Sequence, residues 1–194
     1  MSYQQNKYQV IRNAISYDLA NFCFNYLLLK RDAIKFMYDN NFIAENSMHG
    51  TWKDSQVPGV YSIYADHVME TLLVKTLPVM KEKTGLDLLP TYSYARVYEK
   101  GSILEKHKDR PSCEVSTTIN LGGDLWSIYI EKVKIDLKPG DMVIYSGCEL
   151  EHWREPFEGN ICGQVFLHYN HAQGPFAKTN LYDKRPLLGI PKTS

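Results

Sequence analysis

The chain has 194 residues, and 22 Lys and Arg against 22 Asp and Glu leave no formal net charge. That balance offers no electrostatic footprint for nucleic acid or an anionic membrane, and no apolar run approaches membrane-spanning length. Length and the 14 tyrosines predict a folded chain with a sizeable core, read as one domain over 1–194.

Residues 1–17 read as a short strand or arm. Ser16 or Asp18 can cap a helix running to about Tyr38. Leu19, Phe22, Tyr26, Leu29, Ala33 and Phe36 or Met37 recur at three- and four-residue steps, which predicts one apolar stripe against a sheet. Residues 44–60 form a long loop, the kind that serves as a lid or substrate-binding element, with His49 and Trp52 as residues of interest. A second helix is predicted over Ser62–Lys83, kinked or restarted at Pro78, stopped at Gly85, with His67 on its surface. This first segment, 1–88, reads as helical support.

From Leu89 the pattern changes to short β segments separated by turns: 91–98, 103–108, 113–121, 125–130, 133–137, 142–145 and 161–169. Lys138-Pro139-Gly140-Asp141 is a turn in which Pro fixes φ and Gly supplies φ > 0. Seven or eight such strands over 89–170 predict a sandwich or jelly roll, followed by a C-terminal extension from 171 to 194. The four cysteines (Cys23, Cys113, Cys148, Cys162) form no C-x-x-C pair, and the first residues hold no apolar signal segment. Together these predict a reduced, cytoplasmic protein.

The stretch Tyr98-Glu-Lys-Gly-Ser-Ile-Leu-Glu-Lys-His107-Lys-Asp109-Arg110 carries an H-x-D, answered downstream by His152. Side chains two apart on a strand share a face, so His107 and Asp109 converge while Lys106, Lys108 and Arg110 point the other way. Two histidines and one carboxylate are the ligand set of a mononuclear non-haem iron(II) site. The same alternation also describes a solvated charged strand.

Two ordered motifs narrow this further. Tyr94-Ala-Arg96-Val-Tyr98-x-x-Gly101-x-x-Leu104-x-x-His107-x-Asp109 and Pro139-Gly-Asp-Met-Val-Ile-Tyr145-x-Gly147-x-x-x-x-His152 resemble the iron(II)/2-oxoglutarate-dependent dioxygenases, in their prolyl-hydroxylase-like branch. The likeness covers about residues 90–170. It implies an α+β fold, a double-stranded β-helix (jelly roll) with N-terminal helices packed on one sheet. It implies Fe(II) held by His107, Asp109 and His152, 2-oxoglutarate as co-substrate, and ascorbate as a stimulant. It also implies C–H hydroxylation coupled to decarboxylation of 2-oxoglutarate to succinate. A carboxylate at Asp109 favours hydroxylation over halogenation, which needs that ligand position open.

The sequence departs from the family where a late-strand Arg or Lys grips the distal carboxylate of 2-oxoglutarate: Ile161-Cys162-Gly163-Gln164 holds no basic residue. Arg154, two residues past His152, is the first replacement candidate and Arg96 the second; a guanidinium grips a carboxylate through two hydrogen bonds. The structural alternative for Arg154 is a surface pair with Glu151 or Glu155. Tyr98 is carried over to the co-substrate pocket, with Ser116, Thr118, Gln164 and His168 as further lining residues. The expected substrate is a prolyl residue in a peptide or protein, then a small molecule such as a free amino acid, with no nucleic acid or membrane partner. The competing readings are a cupin-type metal-dependent enzyme and a non-catalytic jelly-roll binding module.

Overall fold

A computed structural model describes residues 2–44 and 48–191. After a helical turn, α1 (Tyr3–Asn6), come β1 (Tyr8–Ile11) and α2 (Tyr17–Asp39), whose N-cap Ser16 accepts from Leu19 N at 3.2 Å. Then follow β2 (Tyr61–Tyr64), α3 (His67–Thr84), β3 (Leu88–Glu99), β4 (Leu104–His107), β5 (Val115–Gly123), β6 (Ile128–Ile130), β7 (Val133–Ile135), β8 (Met142–Tyr145), β9 (His152–Arg154), β10 (Ile161–His171) and α4 (Ala177–Asn180). Every strand pairing is antiparallel. One sheet has the order β1-β8-β5-β10-β3-β2 and the other β4-β9-β6-β7. This is the expected jelly roll with helices on one sheet.

The large sheet is buried on both faces, which is why its strands read as nearly continuous apolar runs. One face carries Ala95, Val97, Ile119, Leu121, Met142, Ile144, Val165 and Leu167 against α2 and α3. The opposite face turns Tyr92, Arg96, Tyr98, Ser116, Thr118, Gln164 and His168 toward the small sheet, as the two-residue period of a strand requires. The Lys138–Asp141 turn closes as predicted, with Asp141 N donating to Lys138 O at 2.9 Å and Gly140 at φ +90°.

Three expectations need correction. The α2 stripe lies one residue off: Ala20, Cys23, Leu27 and Ile34 are buried, while Phe22, Leu29 and Phe36 are 58% or more exposed. Phe24 explains the rotation. Its ring sits where a Cβ on Gly122 or Gly163 would come within 2.7 Å, so the helix lies close to the sheet and small residues face it. Second, the start of the predicted second helix is strand β2, and α3 begins after the N-cap Asp66, which accepts from Val68 N and Met69 N. Third, the helix does not restart at Pro78, since α3 continues through it and ends at Gly85 (φ 71°).

The C-terminal segment is tied down by two ion pairs. Asp183 accepts from Arg110 (2.6 and 2.8 Å), Ser112 and Tyr64. Arg185 donates to Glu70 (2.7 Å) and to the carbonyl of Thr91, with both charged side chains no more than 3% exposed. Breaking a pair this deep strands the surviving charge, which costs about 3–5 kcal/mol. Glu70→Gln is therefore expected to lower stability by at least about 3 kcal/mol, read from the urea midpoint. A midpoint unchanged from the parent contradicts this.

Candidate metal centre

Strand β4 ends at His107, and the chain leaves it so that Asp109 N donates to Gly147 O at 2.8 Å. Gly147 is required by that approach, since a Cβ there would lie 2.4 Å from Asp109 Oδ2. His152 opens β9 and is the register partner of His107 across the small sheet. The three side chains meet: Asp109 Oδ1 lies 3.7 Å from His107 Nε2 and 3.5 Å from His152 Nε2. His107 Nδ1 is 2.7 Å from Glu105 O and His152 Nδ1 3.0 Å from Leu150 O. A carbonyl only accepts, so each Nδ1 carries the proton and each Nε2 directs a lone pair at the common point. Burial pushes the His107 pKa down, favouring its neutral, ligating form. Burial disfavours the Asp109 charge, but the neighbouring histidines, His152 first, outweigh it and hold this carboxyl below its ordinary value. Three unprotonated donors of 2-His-1-carboxylate type around one point fit an iron(II) ion.

These residues border a cavity of about 400 Å³ between the sheets, walled by Tyr92, Tyr145, Phe166 and His168 on the large sheet and Leu104 and Ile128 on the small one. Burial drives the His168 pKa down to about 4, so the ring is neutral. Behind the Leu104 wall, in register with it, stands Arg154, only 1% exposed. Its Nη1 donates to Trp126 O at 2.5 Å and its guanidinium lies 5.0 Å from the Trp126 ring. Among the described residues its Nε and Nη2 have no hydrogen-bond partner and no carboxylate pairs with it. The surface alternative is excluded: Glu151 pairs with Lys106 and Glu155 accepts from Trp153. A buried guanidinium with two orphaned nitrogens is costly, and burial pushes its pKa down. Tyr98 and Tyr145 lie beside it, Tyr98 edge-on to Trp126 at 4.8 Å.

Arg96, the second candidate, is already engaged. Its Nε and Nη2 hold Asp54 (2.8 and 2.7 Å), Nη2 also holds Gln56 (2.6 Å), and Nη1 reaches Tyr98 OH (3.2 Å). Asp54 also accepts from Tyr94 OH at 2.8 Å. The long loop thus docks on the cavity through an ion pair whose members are 6% and 8% exposed. Asp54→Asn is expected to raise amide hydrogen exchange selectively over 51–60 while leaving metal affinity intact; unchanged exchange there contradicts the docking role. His49 and Trp52 do not line the cavity. Trp52 packs on Tyr38 and Tyr61, and the His49 carbonyl accepts from Tyr61 OH. Residues 45–47 of this loop lie outside the described residues.

Of the other lining candidates, Thr118 donates to Gln164 Oε1 at 3.2 Å, and Gln164 Nε2 donates to Cys162 Sγ at 3.1 Å. Ser116 turns instead to Asp109 and His168. Arg110 does not point away as strand alternation predicts. The chain leaves the strand after His107, and Arg110 lines the cavity, stacked on Tyr92. Sequence reasoning missed Asp54, Gln56, Arg110 and Tyr145. Only the loop length hinted at the first two, and the two-residue period along Val143 and Tyr145 offered a signal for the last.

No protein-family model matches the chain, and no curated protein matches it. Solved structures do. A prolyl-4-hydroxylase from Pseudomonas putida matches at 15% identity over 87% of this chain and 95% of its own, with TM-score 0.61. HygX from Streptomyces hygroscopicus, solved with nickel and 2-oxoglutarate bound, matches at 11% over 88% and 85%, with TM-score 0.63. The non-haem α-ketoglutarate-dependent epimerase SnoN of nogalamycin biosynthesis matches at 12% over 99% and 93%, with TM-score 0.66. At such identities the likeness establishes the fold: the chain has the jelly roll of the 2-oxoglutarate–Fe(II) oxygenases.

Proposed function

We propose that this chain, as one domain, is an Fe(II)- and 2-oxoglutarate-dependent dioxygenase that hydroxylates a C–H bond. The observation that carries the reading is the pairing of a lone-pair triad, His107, Asp109 and His152, with the orphaned guanidinium of Arg154, two residues past His152 on the same strand and in register with the cavity-lining Leu104. A cupin-type site explains the first feature and leaves the second without a purpose. Iron(II) with 2-oxoglutarate, when bound, supplies oxygen activation coupled to decarboxylation to succinate. His107, Asp109 and His152 would hold the ion. Arg154 receives the distal carboxylate, flanked by Tyr98 and Tyr145. Arg154 is itself only 1% exposed, and a charge pair formed in so dry a place is stronger than one in water.

A peptidyl proline is the first substrate reading, as for the prolyl-4-hydroxylase neighbour. A small molecule is the second, favoured by the docked loop, whose Asp54, Ser55 and Gln56 wall one side of the cavity. Four free cysteines support a cytoplasmic location, and no described helix is long and apolar enough to cross a membrane. The test is anaerobic: Fe(II) and then 2-oxoglutarate are added, and the weak visible charge-transfer band of the chelate is sought. Its appearance in the parent and loss in His152→Ala supports the reading. Iron binding without the band moves the cupin-type reading ahead.

A further inference from the structure

Asp109 uses its two oxygens differently. Oδ1 faces the histidines, while Oδ2 sits against Gly147 and receives Ser116 Oγ at 3.2 Å. Ser116 Oγ is also 3.0 Å from Cys113 O and 2.8 Å from His168 Nδ1. A hydroxyl has one proton to give. The Asp109 carboxylate and the Cys113 carbonyl are acceptors only, and the charged one binds a hydroxyl proton more strongly. If Ser116 instead gave its proton to His168, its oxygen would face both of those acceptors with lone pairs alone. The hydroxyl therefore donates toward Asp109 and accepts from His168, so His168 is protonated on Nδ1. That ring is packed against Tyr92 at 4.5 Å, which in turn stacks on Tyr64 at 5.0 Å. Ser116 is fully buried and His168 is 5% exposed, so neither nitrogen nor hydroxyl is free to turn to bulk water at Nδ1.

We propose that Ser116 and His168 are positioning residues for the metal ligand Asp109. The chain His168 Nδ1–H to Ser116 Oγ–H to Asp109 Oδ2 holds the carboxylate so that Oδ1 faces His107 Nε2 and His152 Nε2, where a metal ion would be held. Without it the carboxylate is free to turn Oδ1 away from the point it shares with the two histidine Nε2 atoms, and a metal ion would be held there less tightly. The inference rests on the metal-centre reading above. Partners of metal ligands at one remove typically contribute 10–100-fold in affinity or activity.

The test uses Co(II), an air-stable probe, titrated into the full chain by calorimetry with its d–d absorption recorded. Ser116→Ala and His168→Leu are expected to weaken Co(II) binding by about 10–100-fold and to alter the d–d band. In His168→Asn the amide Nδ2 replaces the ring Nδ1 donor, and binding is expected to stay within about threefold of the parent. His168→Gln, whose amide falls at the other ring nitrogen, is expected to behave like His168→Leu. A purely structural role predicts a lower melting temperature with the Co(II) band unmoved, and that result overturns the proposal, as does Ser116→Ala binding with parental affinity and spectrum. If His107→Ala abolishes binding while Ser116→Ala leaves it intact, the metal centre stands and this inference alone falls. If the parent chain binds no Co(II), both fall.

Discussion

Replacing Arg154 by methionine is expected to raise the 2-oxoglutarate concentration for half-saturation by about 100-fold, because a charge-assisted bidentate contact in a dry site contributes about 2–3 kcal/mol. The same substitution is expected to make the ligand-free protein more stable. In the parent, Arg154 is 1% exposed with Nε and Nη2 unpartnered, and burial disfavours its charge. Methionine fills similar space without that burden, and replacing a buried charged group by an apolar one is often stabilising by about 1–4 kcal/mol. The two effects have opposite signs, so a thermal melt with and without 2-oxoglutarate under anaerobic Fe(II) separates them. The parent should melt higher on adding co-substrate, by the linkage that gives about 2.7 kcal/mol at a hundred times Kd. The variant should start higher and respond little. A variant that is destabilised and still responds fully means that Arg154 is a structural cation and the distal carboxylate is held elsewhere. Arg96 would then have to release Asp54 to serve.

The second large effect is expected at the ligands. Asp109→Ala should lower Fe(II) or Co(II) affinity by more than about 100-fold, since groups one step removed already contribute about 10–100-fold. Its fold should survive: among the described residues Asp109 pairs with no lysine or arginine, and its hydrogen-bonding and charged partners are His107, His152, Ser116 and the Gly147 carbonyl. Removing it relieves a buried charge rather than stranding one, the reverse of the situation at Glu70. His152→Ala should lose metal similarly. Isothermal titration measures the affinities and far-ultraviolet circular dichroism the fold. Retained metal affinity in either variant removes the site assignment.

What the sequence determined by itself was everything that depends on neighbours in the chain. Ser16 capping α2, the Pro139-Gly140 turn and the strand periodicity from Leu89 onward follow from dihedral preference and a two- or 3.6-residue period, which does not reach Asp109, placed beyond the end of β4 by its bond to Gly147 O. The shared face of His152 and Arg154 has the same origin, because two strand residues that far apart point one way. Tertiary structure decided the pairing of charges. Arg96 and Asp54 lie 42 positions apart and Arg110 and Asp183 73 apart, and no local pattern states which carboxylate meets which guanidinium. Only the folded register made Arg96 satisfied and Arg154 solitary, which separates the two anchor candidates that sequence had left as a pair. The α2 face was decided in the same way. Two apolar series one residue apart ran along that helix, and the groove left by Gly122 and Gly163, filled by Phe24, chose between them.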